Sequence, residues 1–386
     1  MKLILIGDEG SKRTIYLEKA AKKVGVSLQI INWKTIEYKY FLDKLKNICT
    51  NENFKYMYGD AKDVLSKKKS LLTFSLKDDI DLVNKNLLLE QDIVDLEALE
   101  GAVIKIDPPS YETVQLVQMQ KFLEDYQNNL KIMMQMSCQF LNEPEAILKL
   151  LDKKETKLQL QSHEVPVTKM FDEDVWCLEQ LLELMKKKRC YSVFVKPRCF
   201  SGAAGVVAFR IHPVNGKMRM YTSCQMDGDC LVNTKKMIVL DNKQEIASFM
   251  EKLLELGCIV ERWYPKDEFE GKSYDLRVVY QFGHIAYIVV RQSRGPITNL
   301  HLNNHAMDIK ELGLSQEKIQ EIESVCKQAV EVFPGLNVVG IDIMLEKGTL
   351  RPLIIEMNGQ GDLIYQDIYG ENLIYSEQIE KMLGIM

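Results

Sequence analysis

The segment that most restricts what this chain can fold into is residues 338–358, VVGIDIMLEKGTLRPLIIEMN. Two apolar stretches flank a turn containing Gly348. Each carries an acid: Asp342 in the first, Glu356 in the second, with Asn358 two residues on. A buried carboxylate with no cationic partner is very costly, so the hairpin must meet cations as well as a core. Side chains alternate between the faces of a strand, and opposed residues in a hairpin share one index sum. A turn centred on Thr349 sets Asp342 directly opposite Glu356. One centred on Gly348 makes them diagonal neighbours on one face, roughly 7–8 Å apart. Only an even-length turn separates them, and Glu356 and Asn358 share a face in every case. Three oxygen-bearing side chains on one face suit Mg2+, which takes few protein carboxylates and completes its shell with phosphate oxygens. The alternative is an exposed ribbon with solvated acids, against which the apolar flanks argue.

The rest of the chain gives this hairpin its setting. With 386 residues, 46% of them hydrophobic and 27% charged, it has room for two or three domains and is not a disordered chain. Residues 1–35 read strand, helix, strand, a βαβ opening that favours a parallel sheet. AVIKIDPPS is a further strand stopped by two prolines. Residues 36–100 are Lys/Leu/Asp-rich and helical in part, and read as a solvated helical surface. YETVQLVQMQKFLEDYQ is helical, and a boundary falls near residue 140. Beyond it come helices, then the strands YSVFVKP, GVVAFRI, KMIVL, CIVERWY, YDLRVVYQF, HIAYIVVRQ, VVGIDIML and LRPLIIEM. The fold class is therefore α/β followed by an α+β body of antiparallel sheet.

No apolar run approaches the ~18 residues of a membrane helix, and the N-terminal segment is too short for a signal peptide. The net charge of −5, from 50 basic and 55 acidic residues, argues against a dedicated nucleic-acid binder. Nine cysteines without a CxxC pair exclude a zinc ribbon and a thioredoxin motif, and suggest free thiols in a reducing cytoplasm. His301 and His305 stand four apart, but the asparagines beside them and Gly295-Pro296 argue against the helix a zinc pair would need.

Two further segments carry charge in a chemical pattern. FVKPRCFSGAAGVVAF sets Lys196 at a strand end, followed by Ser201, Gly202 and Gly205, small residues that let a backbone approach phosphate closely. It is not a Walker A loop, which runs into a helix. Alone it reads as an ordinary hairpin; beside the carboxylate hairpin it reads as a phosphate flap. Asp275 and Arg277 share a strand face, and Arg291 and Arg294 lie near the end of the next strand, before Asn299. Arg277, Arg291 and Arg294 converging on acids would cradle an anion bidentately. Each alone is as readily a surface ion pair.

The segments DKKET (152–156), VKPRCFSGAAGV, IVERWYP, YDLRVVY, ITNLHLNN, VGIDI and IIEMNG occur in an order that resembles the ATP-grasp superfamily, in its RimK-like and glutathione-synthetase-like branch. The resemblance covers about residues 142–386. It implies an α/β pre-ATP-grasp domain over 1–140, a lobe with a phosphate flap over 141–265 and a lobe with the metal hairpin over 266–386. It implies that ATP is bound, with Mg2+ or Mn2+. Lys153 and Lys196 would hold phosphates, and the 201–205 loop would close over them. Glu261, Arg262, Trp263 and Tyr264 would bind adenine, with Asp267 or Glu268 reaching the ribose. Asp342, Glu356 and Asn358 would hold the metal, and Arg277 and Arg291 the transferring phosphoryl group. The implied activity is an ADP-forming ligase joining a small-molecule or peptide carboxylate to a nucleophile. A peptide-modifying ligase and a nucleotide-binding regulator without turnover are the alternatives. The chain departs from the pattern after Asn358, where Asp362 and Tyr365 stand in place of a Ser-Pro-Gly-type loop, and at Leu302. Asn299, Asp362 and Tyr365 are thus candidates for the acceptor site. No membrane or nucleic-acid partner is expected, and a homo-oligomer stays open.

Overall fold

The computed structural model describes residues 2–33, 101–110, 113–302, 304–360 and 371–384. The Lys-rich 36–100 region, Asp362 and Tyr365 lie outside them. Three sheets follow from three patterns of apolar residues. The run KLILI forms β1 (Lys2–Ile6), buried from Leu3 onward, as a parallel strand covered on both faces should be. Its parallel companions are β2 (Leu28–Ile31), β3 (Ala102–Ile106) and the short β4 (Gln139–Phe140), in the order β2-β1-β3-β4.

The second sheet is antiparallel. It contains β5 (Met170–Val175), β6 (Ser192–Pro197), β7 (Val207–Ile211), β8 (Met218–Asp227), β9 (Cys230–Leu240) and β10 (Cys258–Arg262), in the order β5-β10-β6-β7-β8-β9. Helices Leu178–Lys187 and Lys243–Leu254 pack their apolar faces onto it. The long β8–β9 ribbon is more extensive than the single KMIVL strand read from sequence. Its β8 half alternates buried Met218 and Met220 with exposed Arg219, a half-polar pattern that a search for apolar runs passes over. Helix Leu116–Met133 is shared: Leu116, Met119 and Leu123 enter this core, while Tyr126, Leu130 and Met133 enter that of the parallel sheet.

The third sheet holds β11 (Glu268–Phe269), β12 (Lys272–Gln281), β13 (His284–Ser293), β14 (His305–Asp308), β15 (Val338–Leu345) and β16 (Pro352–Asn358). The order is β14-β13-β12-β15-β16, with β11 beside β12. Alternation along β12 sends Tyr274, Leu276, Val278 and Tyr280 into a core closed by helix Gln316–Glu331. Asp275 and Arg277 therefore face the other way.

The β15–β16 register contains a compensation. Next to the turn, Leu345 pairs with Pro352 and Ile343 with Ile354, the register of an even-length turn, which would put Asp342 and Glu356 out of line. Ile355 is bulged out, and beyond it Asp342 pairs with Glu356 and Gly340 with Asn358. Among the described residues no helix is long and apolar enough to cross a membrane.

Candidate functional site

The open face of the third sheet carries a charged row set by register. Arg277, Asp342 and Glu356 lie directly opposite one another on β12, β15 and β16, and Asp275 lies opposite Arg291 on β12 and β13. Arg277 donates from Nε to Asp342 Oδ1 at 2.5 Å and from its Nη2 to Oδ2 at 3.3 Å. Arg291 donates from Nε to Asp275 Oδ1 at 2.7 Å, and its Nη2 lies 3.1 Å from Asp342 Oδ2. Lys266, from the loop before β11, reaches Asp275 Oδ2 at 3.3 Å and Thr298 Oγ1 at 2.6 Å. Thr298 in turn donates to Asp275. Burial pushes the Asp275 carboxyl up, but Arg291 and Lys266 overcome it and hold it well below the usual carboxylate range. Burial lowers the Lys266 ammonium, against the pull of Asp275.

The facing half is built on lysines. Helix Lys153–Ser162 begins at Asp152, whose carboxylate accepts from Lys154 N and Glu155 N. Lys153 and Lys157, four residues apart, share one helix face. Lys157 Nζ lies 3.1 Å from Glu261 Oε1, and Lys196 Nζ lies 3.0 Å from Glu261 Oε2. Lys196 and Glu261 meet because they are diagonal neighbours on β6 and β10. Thr168 donates to Glu261 Oε2 at 2.9 Å. It stands in a segment running beside β16, where its N–H bonds Ile354 O, so it joins the two antiparallel sheets. Burial lowers the Lys157 ammonium to about 8, with Glu261 opposing the shift. Burial raises the Glu261 carboxyl, and Lys157 and Lys196 more than reverse this. Lys153 donates to Phe200 O in the flap and lies 3.4 Å from Glu356 Oε1, so it touches both halves.

The loop after Lys196 is shaped by positive backbone angles at Gly202, Ala203 and Gly205. A Cβ on Gly205 would lie 2.7 Å from Pro197 Cγ, so that position is closed to larger residues. Ser223 Oγ and Cys224 Sγ hold the loop against β8, by bonds to Ala203 O and Gly205 N. Ser201 is exposed on its outer side.

Other expected residues lie elsewhere. The Glu261 carboxylate is committed to lysines, and Arg262 is exposed with its guanidinium over the Tyr264 ring. Trp263 packs on Phe194 and Tyr221. Asp267 and Glu268 are not brought to this face. Asp267 accepts from Tyr274 OH on the helix-covered side of the sheet, and both acids line a cleft there with Leu312, Leu314 and Lys318. Strand alternation is the reason: Tyr274 points away from Asp275. Arg294 is exposed outside the arginine cluster, and Asn299 is half-buried, its carbonyl accepting from Asn304. Sequence reasoning missed Lys157, Lys266 and Thr168. The i, i+4 spacing from Lys153 would have found the first; no local pattern marks the other two.

Six cations (Lys153, Lys157, Lys196, Lys266, Arg277, Arg291) thus face four carboxylates (Glu261, Asp275, Asp342, Glu356) around one largely buried region. Arg277 Nη1 and Asn358 Nδ2 are buried there without hydrogen-bond partners. Surplus buried cations and orphaned donors are a site shaped for an anion. The donor set also fits a hard divalent cation. Glu356 is half-buried, and an amide flip would turn the Asn358 oxygen into its orphaned position. Among the described residues no group of three or more His, Cys, Asp or Glu could hold a metal unaided.

Solved structures share this architecture at low sequence identity. D-cycloserine synthetase DcsG superposes with a TM-score of 0.55 at 12% identity, over 99% of this chain and 100% of that one. A RiPP-associated ATP-grasp ligase from Chryseobacterium gregarium, in complex with ADP and a leader and core peptide, gives 0.53 at 14%, over 100% and 98%. Biotin carboxylase from Campylobacter jejuni gives 0.53 at 15%, over 99% and 71%. No family model and no curated protein matches the sequence. The chain has the ATP-grasp fold.

Proposed function

We propose that this chain, which has the ATP-grasp fold, is a cytoplasmic ATP-dependent carboxylate ligase of the RimK-like and glutathione-synthetase-like branch. It activates a carboxylate as an acyl phosphate, releases ADP, and joins the acyl group to an amine or similar nucleophile. The observation that carries this reading is the two-cation surplus around the buried carboxylates, which a nucleotide polyphosphate would neutralise.

In the first step a substrate carboxylate oxygen attacks the γ-phosphorus. The bond to the β-phosphate oxygen breaks, and its electron pair leaves with ADP. In the second step the amine attacks the acyl carbon, the C–O bond breaks toward phosphate, and the amine proton passes to solvent. Lys153, Lys157 and Lys196 bind the phosphates, with Glu261 and Thr168 fixing two of the ammonium groups. Arg277 and Arg291, themselves fixed by Asp342 and Asp275, hold the phosphoryl oxygens as charge moves. The 201–205 loop excludes water that would hydrolyse the acyl phosphate. Glu356, Asn358 and Asp342 would hold Mg2+ (or Mn2+), which neutralises phosphate charge when bound. Asn299 is a candidate for the acceptor site. A second reading, modification of a ribosomal peptide, is favoured by the full-length match to the peptide-bound C. gregarium ligase.

Hydroxylamine intercepts acyl phosphates whatever the natural nucleophile. Pools of small carboxylates and of acidic peptides, incubated with the protein, Mg-ATP and hydroxylamine, are expected to give ADP and a hydroxamate in one pool. Which pool responds decides between the two readings. Absence of any Mg-dependent thermal stabilisation of the wild-type protein by millimolar ADP overturns both.

A further inference from the structure

Asn142 touches none of the lysines or arginines of the site, yet it holds the end of the hairpin that carries Glu356 and Asn358. It follows β4 and precedes helix Pro144–Leu151, and it is buried. Its Nδ2 donates to Val338 O and Gly359 O, both at 2.6 Å. Its Oδ1 accepts from Asn337 N and Val338 N, both at 2.8 Å. The full hydrogen-bonding capacity of the amide is thereby used.

The carbonyls it bridges belong to different strands. Val338 opens β15, and Gly359 follows the last residue of β16. Gly340 with Asn358 is the outermost β15–β16 pair, so beyond it the ladder no longer fixes the strand end. Asn142 supplies that restraint from another part of the chain. Two contacts reinforce it. A Cβ on Gly359 would lie 3.3 Å from Ile147 Cα, so the strand end is pressed onto the helix. Gln360 Nε2 donates to Ile106 O at 3.3 Å and also bonds the Tyr126 hydroxyl. The Asn358 side-chain nitrogen, by contrast, has no hydrogen-bond partner.

We propose that Asn142 is a positioning residue for the divalent-cation site: it holds Asn358, and through the β16 backbone Glu356, at the spacing a metal–nucleotide complex requires. The assignment rests on the ligase reading above. A neutral amide is needed, because a carboxylate would face two carbonyl oxygens and an aliphatic side chain would leave buried backbone groups unpaired. Asn337 provides the internal control. Its Nδ2 bonds Leu141 O at 2.7 Å across the same seam, at the β15 side.

The test compares ADP affinity with and without Mg2+, and the EPR spectrum of the Mn(II)–ADP complex, in wild type, Asn142→Asp, Asn142→Ala and Asn337→Ala. Asn142→Asp keeps the side-chain size and both accepting contacts, loses the donors and turns a carboxylate oxygen toward two carbonyls, whereas Asn142→Ala removes the donors without adding charge. For the Asn142 variants, metal-free ADP affinity is expected within about twofold of wild type, while the Mg2+ enhancement falls ~10–100-fold and the Mn(II) spectrum changes. Asn337→Ala is expected to lower the melting temperature and leave the Mg2+ enhancement intact. An unchanged enhancement and spectrum in folded Asn142 variants overturns the proposal, as does an equal loss in Asn337→Ala. Should Asn142→Asp and Asn142→Ala not fold, Asn142→Ser, which keeps one donor, carries the same comparison. A wild-type protein whose ADP binding ignores Mg2+ overturns the ligase reading itself, and this assignment with it.

Discussion

The arginine half of the site and its lysine half are built in opposite ways. On the third sheet, Arg291, Asp275, Arg277, Asp342 and Glu356 occupy opposed or next-but-one positions, so pairing sets their places, and Arg291 reaches across β12 to Asp342. On the other side, Lys153 and Lys157 come from a helix, Lys196 and Glu261 from two strands, and Thr168 from a connecting segment. The register-built half matches each buried guanidinium to an acid and is nearly neutral. The convergent half has three lysines around Glu261 and the edge of Glu356, and carries the surplus charge. The difference teaches where stability and ligand binding separate: the first half is braced, and the second is left to be completed by an anion.

The comparison breaks most visibly at Asp342. Asp342→Ala strands Arg277 and leaves Arg291 with Asp275 alone, and is expected to cost about 3–5 kcal/mol of folding stability in urea denaturation. A loss under 1 kcal/mol would mean that the row is not a brace. Glu356→Gln tests the junction. Because Glu356 is half-exposed, the ligand-free protein should change by less than about 1 kcal/mol. The Mg-dependent stabilisation by ADP, about 2.7 kcal/mol at a hundred times Kd, should vanish.

Lys157 gives a smaller, pH-graded effect. Burial lowers its ammonium from 10.5 to about 8, so the free protein discharges it as pH rises through 8. ADP binds the charged form better, so its affinity should fall above pH 8, by up to about tenfold per pH unit. The folded state holds this proton less tightly than the unfolded chain, so the ligand-free contribution to stability rises from pH 8 to 10.5. Titration calorimetry with Lys157→Met should show ADP affinity flat over that range; a retained slope would assign the proton elsewhere. The smallest effect belongs to Asp267→Asn, on the helix-covered side. ADP affinity should stay within about twofold, with roughly 1 kcal/mol of stability lost through the Tyr274 bond. A tenfold affinity loss would return Asp267 to the nucleotide.

Much of the arginine half could be read from the sequence, because alternation is local. Asp275 with Arg277, and Glu356 with Asn358, each share a face by their spacing. The Asp342–Glu356 pairing was deducible only for an odd turn; the turn is even, and the bulge at Ile355 restores the pair. A bulge answers to packing on both sides of a strand, which spacing does not report. Lys157 was accessible through its helical interval from Lys153. Lys266 follows Pro265 in an irregular loop, and nothing periodic points from it to Asp275.

What the sequence by itself determined is the apolar strands and amphipathic helices, though not the half-polar β8, and which face of each its charges occupy, because both depend on neighbours two to four residues away. The tertiary structure decided which faces meet. Glu261 lies among Lys157, Lys196 and Thr168, and Asn142 clasps Val338 and Gly359, across separations of 65 to 217 residues. The physical reason is that a buried charge or amide is satisfied by whichever partner packing brings within hydrogen-bond reach. That choice belongs to the whole fold and has no local period.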